Sequence, residues 1–332
     1  MPACLKCGLP AAMRMEYTMQ DLCGGCFTAQ FERRVAKTNR DFSLLRRGDI
    51  VAVGVSGGKD SAAMLYCLDK MAKRIGGITL KPILIDEGIE GYRNVAALKA
   101  QELCSQLGYT LQTFSYKELF SASMDEVMAR RDELAQEGKE GFTPRISCTY
   151  CGVFRKQALN KAALGVGANK LAVGHNADDT AQTFMMNLMR SEPARNGPMG
   201  SAGGEEEPQE GFARRVKPLV YNLEIECALF CKLKNLPFHL GGCPYAGESF
   251  RGYVKDFLNG AEKNYPGTKF NLLHSFLEIQ KGLNGGKSQK SAIAASREIP
   301  MAQCTRCGEK HSGRSTGGLC KACEFLTELQ FA

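Results

Sequence analysis

The sequence predicts an α/β fold, a parallel sheet with helices on both faces, flanked at each end by a small zinc-binding knuckle. Three observations predict it. Strand and helix patterns alternate from Asp49 onward. A glycine-rich turn, VSGGKDS (Val55 to Ser61), joins the first strand to the first helix. Ten of the fifteen cysteines stand in Cys-x-x-Cys pairs, two pairs in each terminal segment and one in the middle of the chain.

Residues 1–30 carry Cys4, Cys7, Cys23 and Cys26, and residues 300–332 carry Cys304, Cys307, Cys320 and Cys323, with a short turn-rich spacer inside each set. Two tight knuckles that each present two thiolates complete the tetrahedral sulfur set of a structural Zn2+, so one zinc is expected at each end. Cysteines grouped this way in a chain of 332 residues indicate metal sites in a reducing compartment rather than disulfides. No run of about 18 apolar residues occurs, and MPACLKCGLP lacks the apolar stretch of a signal peptide, so a cytoplasmic protein without a membrane segment is expected. The formal net charge of +8 falls to about +4 once two Zn(Cys)4 sites form. Basic residues nevertheless concentrate beside both knuckles: Arg33, Arg34, Lys37, Arg40, Arg46 and Arg47 by the first, and Lys281, Lys287, Lys290, Arg297, Arg306, Lys310, Arg314 and Lys321 by the second. That distribution suits a polyanion partner.

Residues 31–282 form the expected main domain. DIVAVGVS is a short β-rich apolar run, and SAAMLYCLDKMAKRI places its apolar residues at helical spacing. ITLKPILID and GYRNVAALKAQELCSQLG repeat the pattern. YTLQTFSY, NKLAVGH and LPFHLGG supply further expected strands, with helices around 152–165, 178–189 and 224–234. Segment 191–213, rich in Gly, Pro and Glu, is expected to be a mobile surface insertion, and 283–299 a linker to the C-terminal knuckle.

The turn after the first strand carries the strongest chemical signal. Gly57 and Gly58 permit close backbone approach, the helix start aims its N–H groups at one point, and Ser56 and Ser61 add hydroxyls, an arrangement suited to pyrophosphate. The spacing excludes a Walker A loop. Asp60 reads as a magnesium ligand and Lys59 as a counter-charge to phosphate. Gly54 and Asp86 end the first two strands, and VGHNADD places Gly174, His175, Asp178 and Asp179 at the carboxyl edge of another, where such sheets bind ligands.

One Cys-x-x-Cys pair is left over, Cys148 and Cys151 in SCTYCG, ahead of the helix GVFRKQALNKAAL. Cys67, Cys104, Cys227 and Cys231 fall inside helical patterns and read as buried apolar residues. Cys243, in the exposed turn GGCPY, can join the pair beside the nucleotide. Three thiolates are too few for a closed zinc site; they suit an iron–sulfur cluster with one iron open, or a persulfide relay.

The SGG-x-DS turn resembles the loop of the PP-loop ATP pyrophosphatases, which activate a substrate as an adenylate. With GHNADD, KPL at 217–219 followed by LEIE, the middle cysteine pair, CPY and paired knuckles at both ends, the whole chain resembles the TtuA-type tRNA 2-thiouridine synthetases and their archaeal and eukaryal wobble-uridine thiolase relatives. The resemblance implies a Rossmann-like PP-loop domain, ATP with Mg2+, and a [4Fe-4S] cluster held by Cys148, Cys151 and Cys243. It also implies sulfide or a ubiquitin-like sulfur-carrier protein as donor, and a homodimer. The family carries a basic catalytic residue just after the pair, which Arg155 matches; Lys156 stands beside it, and Asp178 or Asp179 would line the ATP site. The expected reaction is tRNA uridine 2-thiolation, with the wobble uridine preferred over the T-loop uridine. The alternatives are cluster-free persulfide transfer, cytidine thiolation, amide formation, and a non-catalytic zinc-knuckle RNA binder.

Overall fold

Cys4, Cys7, Cys23 and Cys26 meet because a tight turn and a hairpin fold back on one another. The computed structural model of the chain describes residues 2–192, 209–285, 301–312 and 316–331. The Cys4 N–H donates to Leu9 O at 2.7 Å and the Gly8 N–H to Cys4 O at 2.9 Å, a turn that needs the left-handed backbone of Gly8 at φ +76°. Strands β1 (Met13–Met15) and β2 (Gln20–Leu22) pair antiparallel, with Met13 opposite Leu22. Cys23 then caps helix α1 (Gly24–Phe42), which places Cys26 in its first turn. The helix runs on past residue 30 and buries Phe27, Phe31 and Val35 in the body of the protein, so knuckle and body share one element.

The body continues as β3 (Ile50–Gly54), α2 (Lys59–Ile75), β4 (Thr79–Asp86), α3 (Arg93–Leu107), β5 (Gln112–Ser115), α4 (Tyr116–Phe120), α5 (Met124–Gln136), α6 (Ser147–Gly165), β6 (Lys170–Ala172), α7 (Ala177–Met189), β7 (Arg214–Val216), α8 (Glu224–Leu233), α9 (Phe250–Asn264) and α10 (Thr268–Gly285). The sheet has the order β5-β4-β3-β6-β7, with every neighbouring pair parallel. Side chains alternate between two cores, as the period-two geometry of a strand requires: Val51, Val53 and Leu84 face one layer, Ala52, Ile83 and Ile85 the other. Lys170 is buried in β6, and its ammonium reaches Asp49 at 2.7 Å and Leu44 O at 2.6 Å, fastening the amino end of the central strands. The connections diverge between β3 and β6, leaving a crevice at their carboxyl ends. Cys67, Cys104, Cys227 and Cys231 are buried helical residues, as expected.

Two expectations are corrected. LPFHLGG does not form a strand: its region makes an isolated parallel bridge, Gly58 with His239, in which the His239 N–H donates to Gly57 O at 2.8 Å. The fifth strand is β7, three residues containing an Arg pair, too short and too polar to register as an apolar run. The α6 helix also begins earlier than expected, at Ser147, so Cys148 and Cys151 lie within its first turns. The insertion expected over 191–213 lies for the most part, and the linker 283–299 almost wholly, outside the described residues. Among the described residues no helix is long and apolar enough to cross a membrane.

The C-terminal module repeats the plan of the first: β8 (Met301–Gln303), β9 (Lys310–Ser312), then α11 (Lys321–Glu328) capped by Cys320. It docks on α6. Phe325 meets Tyr150 edge-on at 5.0 Å between ring centroids and Phe154 at 6.4 Å, all three fully buried. Arg145 pairs with Glu328, and Gln157 bonds both Cys307 at 3.6 Å and Cys320 at 3.5 Å.

Phe325→Ala is therefore expected to destabilise the protein by about 3–5 kcal/mol in denaturant unfolding, because the cavity opens beneath α6. At Gly57, with φ +82°, an added Cβ would stand 1.9 Å from Ala96 O in α3. Gly57→Ala is accordingly expected to displace the β3–α2 turn and abolish nucleotide binding measured by calorimetry.

Candidate functional site

The β3–α2 turn is organised by its own hydroxyls. Ser61 Oγ donates to Gly58 O at 2.9 Å and accepts the Ser56 N–H at 3.1 Å, and Ser56 Oγ lies 3.2 Å from Ser61 Oγ. Gly58 caps α2, whose first N–H groups have no helical acceptor and face the crevice end of the sheet. Gly174 lets the β6–α7 turn approach: a Cβ there would stand 3.2 Å from Ser61 N. Gly54 is packed between Ala172 and Leu159 inside the sheet and so supports the turn from below.

Acidic and basic groups interlock around this turn. Asp60 accepts from Lys59 Nζ at 3.0 Å and from Asn176 Nδ2 at 3.0 Å. Lys59 also reaches Glu224 at 2.9 Å, and Lys255 meets the same carboxylate at 2.8 Å. Burial raises the pKa of both Asp60 and Asp179, and the Asp179 charge adds to the shift at Asp60, so the two carboxyls resist ionising together. A divalent cation would supply the missing counter-charge, and these oxygens are the donor type Mg2+ takes. Asp179 closes a capping box with Asn176, accepting its N–H at 3.2 Å. Asp178 is different: one oxygen takes Lys269 and the other the Glu224 N–H at 2.7 Å, so it ties α7 to α8 and α10 from behind the site. Asp86 accepts the Gly88 N–H at 2.9 Å and shapes the turn after β4.

The middle cysteines occupy the far wall. Cys243 opens a short helical turn, Pro244–Glu248, that packs on the start of α6, where Ser147 donates its N–H to Glu248 at 2.8 Å and its hydroxyl to Tyr245 O at 3.2 Å. Arg155 Nη2 lies 3.2 Å from Cys151 Sγ while its Nε donates to Glu87 Oε1 at 3.0 Å. Partial desolvation opposes the charge on Arg155, but Cys151, Tyr116, Tyr92 and Cys243 more than offset this and hold its pKa above its ordinary value. Arg155 thus lies against Cys151 and within reach of the Cys243 charge, whereas among the described residues Cys148, Cys151 and Cys243 do not gather within 4.8 Å as the two terminal sets do; thiolates are nonetheless the donor type an iron–sulfur cluster takes. Lys156 is solvent-exposed, and Arg215 donates to its backbone O at 3.0 Å. His175 stands on the crevice wall, where enclosure and the charges of Lys217, Arg215, Arg251 and Arg155 pull its pKa down to about 3 and keep it neutral.

Among the described residues, two groups of four thiols gather within 4.8 Å of one another, Cys4, Cys7, Cys23 and Cys26, and Cys304, Cys307, Cys320 and Cys323. In the first set Cys4, to about 6, and Cys23 are pulled down chiefly by backbone N–H donors, and in the second Cys304 is pulled down to about 6 by such donors against the opposing pull of burial. A neighbour is pushed up, Cys26 to about 12 by the adjacent thiols and Cys323 by burial together with its neighbours. Four thiols cannot all ionise at this spacing without a cation at the centre, so both sets fit Zn2+.

Sequence reasoning missed several residues of the crevice. Glu87 and Arg93, both buried, pair behind Arg155; Arg215, Arg251 and Lys255 line the opening, and Arg251 approaches Asp179 at 3.7 Å. The DEG turn directly after β4 and the RRVK run were the available signals. In the opposite direction, Arg34 leaves the expected basic surface, since it pairs with buried Glu226 at 2.8 Å. Arg33, Lys37 and Arg40 remain exposed on one face of α1.

Residues 27–239 match the PP-loop domain family. The chain is 36% identical over 334 residues to the mouse cytoplasmic tRNA 2-thiolation protein 1, covering 99% of this chain and 73% of the relative. It is 32% identical over 337 residues to the tRNA 2-thiolation protein NcsA of Haloferax volcanii, covering 98% and 99%. Among solved structures, the U34-tRNA thiolase NcsA from Methanococcus maripaludis with its [4Fe-4S] cluster superposes with a TM-score of 0.78 at 28% identity, over 99% of this chain and 97% of that one. The site built on SGGKDS and the extent of these matches lead to one conclusion: the chain belongs to the PP-loop family, among the tRNA 2-thiolation proteins.

Proposed function

We propose that this protein is an ATP-dependent tRNA uridine 2-thiolase, acting in the cytoplasm on the wobble uridine. The observation that carries the reading is the position of Arg155, which touches Cys151 on one side and is joined through buried Glu87 and Arg93 to the phosphate loop on the other. Activation chemistry and sulfur chemistry thus meet in one crevice.

Oxide is a very poor leaving group, so the uridine C2 oxygen must be activated before sulfur can replace it. That oxygen attacks the α-phosphorus of ATP, the bond to the β-phosphate breaks, and pyrophosphate stays cradled by the Ser56, Gly57, Gly58 and Ser61 turn. Lys59 balances its charge, and Asp60 with Asp179 holds Mg2+. Arg155 faces the α-phosphate and stabilises the charge that develops there. Sulfide then adds to C2, and AMP departs with the former carbonyl oxygen. A [4Fe-4S] cluster on Cys148, Cys151 and Cys243 supplies, when bound, a Lewis-acidic iron without a protein ligand. His175, held neutral, adds no further charge to the crevice wall.

The exposed Arg33, Lys37 and Arg40 and the zinc knuckles hold the tRNA by backbone and shape. The sulfur arrives as sulfide or from the thiocarboxylate of a ubiquitin-like carrier, and the working unit is a homodimer; sulfide-supported turnover in vitro and light scattering address these two points.

After strictly anaerobic purification, about four iron with matching acid-labile sulfide and about two zinc per chain are expected. Cys243→Ala is expected to lose the iron and keep the zinc. Two zinc and no iron after reconstitution would replace this reading with persulfide chemistry. Arg155→Ala, with cluster and tRNA binding retained, is expected to lower kcat by about 10²–10³-fold in a single-turnover thiolation assay.

A further inference from the structure

We infer that Glu87 is a positioning residue whose two carboxylate oxygens fix Arg155 against the cysteine site and Arg93 against the phosphate loop, coupling the geometry of the two half-sites. The inference rests on the role given above to Arg155. Glu87 Oε1 accepts from Arg155 Nε at 3.0 Å, and Oε2 accepts from Arg93 Nη2. Arg93 Nη1 then donates to Ser56 O at 3.1 Å, while Arg155 Nη2 lies 3.2 Å from Cys151 Sγ. Five residues, Ser56, Arg93, Glu87, Arg155 and Cys151, thus form one continuous path from the turn that follows β3 to the first turns of α6.

The carboxylate is held as rigidly as its partners. Glu87 and Arg93 are 1% and 5% exposed. The backbone is fastened on both sides of Glu87: the Met124 N–H donates to Glu87 O at 2.7 Å, and the Gly88 N–H to Asp86 at 2.9 Å. Gly88 has φ +65°, and a Cβ there would meet Ser123 Cβ at 2.6 Å, so the turn has little room to move. The other side of the relay is open, since the Arg155 side chain is 47% exposed to the crevice. A rigid buried acid therefore aims a guanidinium whose remaining surface faces the reacting groups. One carboxylate between two guanidiniums also leaves a surplus positive charge, which an anionic phosphate or thiolate at the site neutralises.

The test is a double-mutant cycle on Glu87→Gln and Arg155→Ala, with Glu87→Asp as the conservative control. A carboxylate that acts through Arg155 predicts that Glu87→Gln lowers kcat about a hundredfold with little change in the tRNA KM. It also predicts that adding it to Arg155→Ala costs nothing further, and that Glu87→Asp restores part of the rate. An independent readout uses iron-free protein: Glu87→Gln is expected to weaken ATP binding about tenfold in calorimetry, because Arg93 loses the anion that orients it toward Ser56. Multiplicative losses in the double variant, or unchanged kcat and ATP affinity in Glu87→Gln, would overturn the inference. An Arg155→Ala protein that thiolates normally would instead remove the role of Arg155 on which it stands. Should Glu87→Gln fail to fold, Arg93→Lys carries the same calorimetric comparison, and unchanged ATP affinity there overturns the inference too.

Discussion

Two parallel strands whose connections leave in opposite directions cannot close the space at their carboxyl ends, and the chemistry of this chain is arranged around that opening. β3 feeds the phosphate turn and β6 feeds the Gly174–Asp179 segment, so the two walls of the crevice come from the pair of strands at the centre of the sheet. Glycine is required where those walls touch: Gly57 against α3 and Gly174 against the start of α2. The sheet needs burial on both faces to hold this geometry, and helices that run from knuckle to body or carry the cysteine pair supply it.

The crevice is strongly cationic, and its few acids have separate duties. Asp178 and Glu226 are consumed by ion pairs that join helices, Lys269 with the first and Arg34 with the second. Glu224 gathers Lys59 and Lys255. Burial raises the pKa of Asp60 and Asp179 beside the phosphate turn, a state that a bound cation would reverse. Acids with identical intrinsic chemistry are thereby divided between architecture and ligand binding by what surrounds each of them.

What the sequence made legible was local. The phosphate turn, both four-cysteine sets and the central strands are encoded within a few consecutive residues, and all stand where their spacing puts them. What it hid was pairing at a distance. Arg155 is far in the chain from Glu87 and Arg93, and nothing in DEG or in FRKQ announces that they meet. The fifth strand was misplaced for a related reason: β7 is polar and three residues long, stabilised by a neighbour already in the sheet, whereas LPFHLGG alternates well but finds only one bridge. Asp178 and Asp179 are adjacent in sequence yet differ in role, because helical geometry turns one toward α10 and the other toward the opening.

The docking of the C-terminal module on α6 bears on how this architecture can be inherited. A terminal zinc knuckle is ordinarily a detachable unit, free to be exchanged among relatives. Here Tyr150, Phe154 and Gln157 are its receptacle, and they share a helix with Cys148, Cys151 and Arg155. The tail and the face of α6 beneath it must therefore drift together, and a chimera that imports a foreign tail without its matching α6 residues would disturb the cysteine wall as well as the surface.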